Sequence, residues 1–169
     1  MNTTQANTAW GEVHMFIAET NSTETFPADL LTMDEIGVVK DGTTTIETTD
    51  GEVLELKREG GILYDKLEKE STFQINCTLI DIPEETAEKL WDMDKTGGKI
   101  RVKSTMSGKK WAVGFAAVKV PGSRTFEVPK STIKMTPSYS SSEGWSCAVA
   151  ISVLQSDITG VTFQFGKVA

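Results

Sequence analysis

Few side chains in this sequence could take part in catalysis, and they are scattered along it. The single histidine, His14, lies in a strand-like run on the side opposite Met15, with no cysteine or carboxylate at the spacing of zinc ligands. It is interpreted as a solvent-facing strand residue. The serines of SYSSSEGWS (138–146) have no base beside them, and nucleophile elbows, phosphate-binding loops and dinucleotide fingerprints are absent from the sequence. The sequence therefore predicts a protein that is not an enzyme and binds no cofactor.

The acidic residues do not form a convincing metal site either. Paired carboxylates at 34–35, 84–85 and 92–94 have the positions of solvated turn and helix-end charges. The stretch DMDKTGG (92–98) resembles a calcium-binding loop, but it lacks the glutamate at the twelfth position, where Lys103 stands. The sequence therefore predicts no metal ion.

The two cysteines, Cys77 and Cys147, each fall within an apolar strand-like run. Such cysteines are typically small buried hydrophobes. A disulfide between neighbouring strands stays open as an alternative, although no framework of paired cysteine spacings supports it.

Most of the chain carries β-strand signals, which are period-two alternation of apolar residues and turn residues between the runs. The predicted strands are 12–18, 73–80, 99–105, 109–120, 145–154 and 161–168, with short edge strands at 124–129 and 131–137. Residues 1–9 are expected to be a flexible arm and 19–35 a long loop with one helical turn at ADLLTM. The prediction is a single mainly β domain over 1–169, a β sandwich or open barrel of two packed antiparallel sheets.

A polar, threonine-rich hairpin is predicted over 41–58. Asp-Gly pairs at 41–42 and 50–51 supply the positive φ angles of tight turns, so 43–49 and 53–57 are expected to pair with each other. Because such a hairpin buries little, we expect it to project from the body and to contact other subunits. The candidate self-assembly residues are Thr43, Thr45, Glu47, Thr49, Asp50, Glu52, Lys57 and Arg58.

One short α-helix is predicted at about 83–92, within IPEETAEKLWDMD. Pro83 suits a first helical turn, and Glu84 and Glu85 suit the positive end of the helix dipole. A narrow apolar stripe is formed by Ala87, Leu90 and Trp91. Since so short a helix is unstable alone, we expect this stripe to lie on the sheet as a lid over the core.

Charge is divided unevenly along the chain. Residues 1–98 contain 21 acidic and 7 basic side chains, a net charge of −14, whereas residues 99–169 contain 3 and 10, a net charge of +7. The two halves either neutralise each other within one fold or form complementary surfaces suited to head-to-tail self-association. Neither a secretory signal nor an apolar run of bilayer length is seen, which favours a soluble protein made in the cytosol.

The order of these elements resembles that of phage and prophage tail tube proteins, including the tube proteins of contractile injection systems. The resemblance is carried by the hairpin, the strand STFQINCTLIDI (71–82), the helix PEETAEKLW (83–91), the return strand after Gly97-Gly98 and the closing GVTFQFGKV (160–168). It spans most of the chain but is architectural, without a diagnostic motif.

The resemblance implies a structural virion protein. Subunits would form hexameric rings that stack into a tail tube for DNA passage, after synthesis in the bacterial host cytoplasm. Its partners would be copies of itself, other tail proteins and passing DNA without specific binding, with no membrane. An acidic protein suits such a channel because it repels phosphate. Segments 1–9, 19–35 and 41–58 would then become ordered only against neighbouring subunits.

Two alternatives remain. One is a surface β-sandwich binding module, an adhesin or carbohydrate-binding domain, whose sugar site would use exposed aromatic residues from among Trp10, Trp111, Trp145 and Tyr139. The other is a different virion part, such as a tail terminator or neck protein.

Overall fold

The computed structural model describes residues 12–61, 63–82, 84–96, 99–106, 108–142 and 144–168. Its strands are β1 (His14–Glu19), β2 (Asp34–Val39), β3 (Thr45–Thr49), β4 (Val53–Lys57), β5 (Leu63–Glu68), β6 (Thr72–Ile80), β7 (Trp91–Thr96), β8 (Lys99–Met106), β9 (Trp111–Ala116), β10 (Arg124–Ser140), β11 (Gly144–Val153) and β12 (Gln164–Lys167). A 3₁₀ turn covers Leu30–Thr32, and the α-helix α1 covers Glu84–Leu90. The 3₁₀ turn lies within ADLLTM, as predicted.

Six strands close into an antiparallel barrel. The pairings run from β1 to β2, β6, β11, β10 and β9, and from β9 back to β1. Strand β3 adds to the edge of β6 beyond β2, and β12 adds to β10. The predicted mainly β fold with one short helix is confirmed. The predicted pair of separate packed sheets is not confirmed, because the strand pairings continue round the whole barrel.

The barrel core follows the alternation of the strands. On β6, the residues Ile75, Cys77 and Leu79 point inward, as their spacing predicts, and Met15 and Ile17 of β1 join them. Strand β9 is buried along its whole length and lies between β1 and β10. One side of this core is bordered by a cluster of four phenylalanine rings, in which Phe163 lies 5.3 Å from both Phe73 and Phe126, and Phe165 packs against Phe126 and Phe163.

The prediction of two short edge strands at 124–129 and 131–137 is wrong. These residues form one strand, β10, which lies centrally and pairs with β9, β11 and β12. The register with β9 shifts between Val128 and Ser131. Pro129, which cannot donate a ladder hydrogen bond, falls within that irregularity and leaves the strand intact.

The long loop 20–33 packs against its own barrel. Phe26, Leu30 and Met33 join Phe16 and Ala112 in a second apolar cluster on the outer face of β1 and β9. The expectation that this loop becomes ordered only against another subunit is therefore wrong, because the chain supplies its own apolar surface for it. The arm 1–9 lies outside the described residues.

Helix α1 contributes Leu90 to the barrel core, where its side chain is 1% exposed. This confirms the lid for Leu90, and Lys89 ties the helix to Asp34 at 2.6 Å. Trp91 begins β7 rather than ending the helix, and the side chains of Trp91 and Ala87 lie outside the described residues. The return strand β8 pairs with β7 in a separate ribbon instead of joining the barrel.

The predicted pairing of 43–49 with 53–57 is wrong. Strand β3 pairs with β6, whereas β4 pairs with β5 as a separate two-stranded ribbon. The tight turn lies at Gly60 and Gly61, with φ angles of 91° and 79°, which glycine adopts without strain. The hairpin therefore spans 53–68 in the structure, and not 41–58 as predicted. Among the described residues, no helix has the length and apolar character needed to cross a bilayer.

Candidate interaction surface

The ribbon β4–β5 is exposed along both of its strands, a rare state for apolar residues in such number. Four leucines and two further apolar side chains are each between 45% and 61% exposed; they are Val53, Leu54, Leu56, Leu63, Tyr64 and Leu67. A two-stranded ribbon is at best marginally stable alone in water. The ribbon thus presents apolar surface that nothing in the described chain covers.

The two faces of the ribbon differ in character. Leu54 pairs with Leu67, and Leu56 pairs with Asp65, so these four side chains share one face. We call this set the leucine face. A shallow groove runs along it, lined chiefly by Leu54, Leu56, Asp65 and Leu67.

The opposite face of the ribbon is held by charge pairs. Lys66 forms an ion pair with Glu68, which raises the pKa of Lys66 and lowers that of Glu68 through their hydrogen bond. Lys57 lies 3.3 Å from Glu55. These exposed pairs stabilise little on their own, but they make this the solvated side of the ribbon. The leucine face is therefore the side suited to contact.

The predicted assembly residues on the N-terminal side of the ribbon form one group on the barrel. Thr45, Glu47 and Thr49 alternate along β3, opposite Asn76, Gln74 and Thr72 of β6, and all three are exposed. Thr43 has a structural role instead, because its hydroxyl donates to the carbonyl of Lys40 and accepts from the amide of Thr78.

The remaining predicted residues belong to the ribbon and its base. Glu52 bonds Lys69 at 2.5 Å where the two ribbon strands meet the body, and Asp50 is exposed just before it. The guanidinium of Arg58 lies 4.4 Å from the ring centroid of Tyr64, beside the tight turn. The structure thus divides the eight candidates between β3 and the ribbon rather than placing them on one hairpin.

Sequence reasoning missed the leucines. Their signal was present, since VLELK (53–57) and LYDKL (63–67) alternate in step on either side of Gly60-Gly61. Placing the turn at Asp50-Gly51 paired β4 with the wrong neighbour, and this hid the facing leucines.

His14 is not solvent-facing. It points away from the barrel interior as predicted, yet it is 8% exposed, because Nδ1 lies 2.5 Å from a carboxylate oxygen of Glu35 and the ring stacks at 6.5 Å from Phe16. Glu12 lies 3.9 Å from Nε2. The cluster joins β1 to β2, and a search of the described residues found no group able to hold a metal ion.

Both cysteines are buried, as predicted, inside the barrel on the paired strands β6 and β11, and they are free rather than joined by the disulfide that the sequence left open. Burial raises the pKa of each thiol to about 12, and the neighbouring Cys147 adds to the effect at Cys77. Neither thiol is a reactive nucleophile at neutral pH.

Comparison of the sequence with protein-family models finds no family that matches, and comparison with curated proteins finds none with significant similarity.

Proposed function

We propose that this chain is a structural subunit that self-assembles, as a tail tube protein does, into stacked rings around a channel for DNA. The observation that carries the proposal is the uncovered leucine face on a ribbon that has no core of its own. Covering that face with another copy removes Leu54, Leu56 and Leu67 from water. The exposed outer edges of β3 and β12 offer further backbone groups for contacts between copies.

The magnitude of this contact favours a large assembly over an isolated dimer. Since the leucines are about half exposed, covering each contributes about 1 kcal/mol, or about 3 kcal/mol for the three. Association costs about 4–15 kcal/mol in lost freedom of motion. One ribbon contact therefore does not hold two copies together, whereas several contacts made at once by each subunit do.

The net charge of −7 supports a channel for DNA rather than a nucleic-acid binding site. A surface that binds phosphate needs clustered cations, and an acidic wall lets the polymer pass without being held. The part-buried ion pair between Lys130 and Glu24 also neutralises one cation of the basic half within the fold.

The experiment replaces Leu54 and Leu67 by serine and compares assembly with that of the wild-type protein. Both side chains are exposed, so we expect the circular dichroism spectrum and melting temperature to stay near wild type. Rings or tubes in negative-stain micrographs should disappear. The matched control is Ile158→Ser, because Ile158 is 62% exposed at a site away from the ribbon. Assembly by the double variant at wild-type concentrations would contradict the proposal.

One observation favours glycan binding as a second candidate function. Tyr139 and Trp145 face each other across β10 and β11, and they are 77% and 43% exposed. Exposed aromatic rings of this kind stack on sugars. Trp111 is buried and takes no part in such a site, and Trp10 lies outside the described residues. Quenching of tryptophan fluorescence by glycans, lost in Trp145→Ala, would support this function.

A further inference from the structure

A second exposed patch lies on the ladder between β10 and β12. Phe126 pairs with Phe165, and Arg124 pairs with Lys167. Because residues two apart on a strand share a face, all four side chains lie on the same side of the ladder. The ring of Phe165 packs against Phe126 at 5.4 Å and against Phe163 at 6.1 Å, yet Phe165 remains 63% exposed. We call these five residues the phenylalanine patch.

The two cations of this patch call for an acidic partner. Arg124 and Lys167 are exposed and lie directly opposite each other, an arrangement in which like charges repel. The ranges 122–126 and 163–168 contain no acidic residue. The nearby carboxylate of Glu127 lies on the other face of the ladder, where it accepts hydrogen bonds from Thr125 and Gln164.

The order of side chains along the leucine face is complementary to that along the phenylalanine patch. The pair of Leu54 with Leu67 is followed two residues along by the pair of Leu56 with Asp65. The phenylalanine patch likewise has an apolar pair, Phe126 with Phe165, followed two residues along by the cations Arg124 and Lys167. Asp65 carries the charge of the leucine face, and its sign is opposite to that of the two cations. Both the apolar and the charged halves therefore match.

We propose that the leucine face of one copy docks on the phenylalanine patch of the next copy, with Asp65 between Arg124 and Lys167. The inference rests on the proposed self-assembly and adds the surface that receives the ribbon. Because the two surfaces are different, the contact is heterologous and leaves one of each free at the ends. Copies joined this way continue head to tail instead of closing as a two-fold dimer.

Engineered cysteines test the contact directly. Leu67→Cys and Phe165→Cys are made in separate chains, mixed and oxidised, with the two native thiols buried and unreactive. We expect a disulfide between the two variants, and a ladder of multimers from the double variant. The matched control pairs Leu67→Cys with Lys134→Cys, on the exposed outer face of β10. Equal cross-linking to the control, or linkage only between two copies of Leu67→Cys, would overturn the inference.

A charge exchange separates this inference from the proposed function. Asp65→Lys alone, and Arg124→Glu with Lys167→Glu, should each raise the concentration at half-assembly by about tenfold, because like charges then meet at the contact. The three changes together should restore assembly, whereas Lys134→Glu should leave it unchanged. Wild-type assembly without rescue would overturn the docking contact alone. Wild-type protein that forms no assembly and no cross-link would overturn both proposals.

Discussion

Glu24 shows how a single residue anchors the long loop 20–33. Its carboxylate accepts hydrogen bonds from Lys130, from the hydroxyl of Ser156 and from the backbone amide of Asp157. The same residue has a φ angle of 50°, in the left-handed region that side chains other than glycine rarely adopt. Lys130 also bonds Asp157, and its side chain is 13% exposed. These contacts hold the strained backbone in place and tie the loop to the barrel.

Glu24→Gln should lower stability at neutral pH but not in acid. The hydrogen bond from Lys130 lowers the pKa of Glu24, so the charged form is favoured in the folded state. Its stabilisation is present above the unfolded-state pKa and is lost as pH falls through the lowered folded-state value. Urea unfolding should show a difference between variant and wild type at pH 7 that shrinks as the pH falls below the unfolded-state pKa of about 4.3. An equal difference at neutral and at acid pH would contradict this role.

The buried thiols should make the stability of the folded protein depend on pH under alkaline conditions. Because burial raises the pKa of Cys77 and Cys147 to about 12, the unfolded chain releases protons from these groups first. Stability should therefore fall as pH rises above about 8.5, by about 1–2 kcal/mol for each thiol at pH 10. The variant with alanine at both positions should lack this part of the loss when urea unfolding is compared at pH 8 and pH 10. The same pH dependence in the variant would contradict the assignment.

At the scale of elements, Gly114 determines whether the loop 20–33 can lie on the barrel. A Cβ atom there would lie 2.7 Å from Leu30 Cδ1 and 2.9 Å from Phe26 Cζ. The bare backbone of β9 thus provides the space that the apolar side of the loop fills.

Gly114→Val should destabilise the protein by about 1–3 kcal/mol, since overpacking forces the loop away from β9. Urea unfolding measures the loss, and protease cleavage within 20–33 should become faster. Gly108→Ala is the control, because no heavy atom lies within 4 Å of the added Cβ. Unchanged cleavage in Gly114→Val would show that the loop does not depend on this contact.

The sequence predicted where the strands and the helix lie better than it predicted which strands pair with each other. Alternation placed the inward residues of β6 and the Leu90 contact correctly, because each signal lies within one strand or one helix. It did not reveal that β3 pairs with β6, or that β10 runs through Pro129, because both depend on registers between distant segments. The burial of His14 follows in the same way from Glu35 on a neighbouring strand. The sequence located the candidate surface only to the right region of the chain. Which side chains face each other depends on whether the tight turn lies at Asp50-Gly51 or at Gly60-Gly61, and the prediction chose the first.

At the scale of the whole molecule, the closed barrel buries its own core, whereas the leucine face and Phe165 of the phenylalanine patch stay exposed in the described part of the chain. The barrel core contains Leu90, and the loop 20–33 packs on the barrel's outer face through its own apolar residues. The ribbon β4–β5 is different, because no described part of the chain covers its leucine face, and in the proposed assembly another copy does so. The account therefore expects a monomer that folds by itself and assembles as its concentration rises.

The most direct test is the mass of the purified wild-type protein measured by light scattering over a wide range of concentration, with negative-stain micrographs of the same samples. The account predicts a mass that rises steeply above a threshold concentration, together with rings or tubes of uniform bore. A mass that stays at that of one chain, 18.4 kDa, at the highest concentration reached would contradict it.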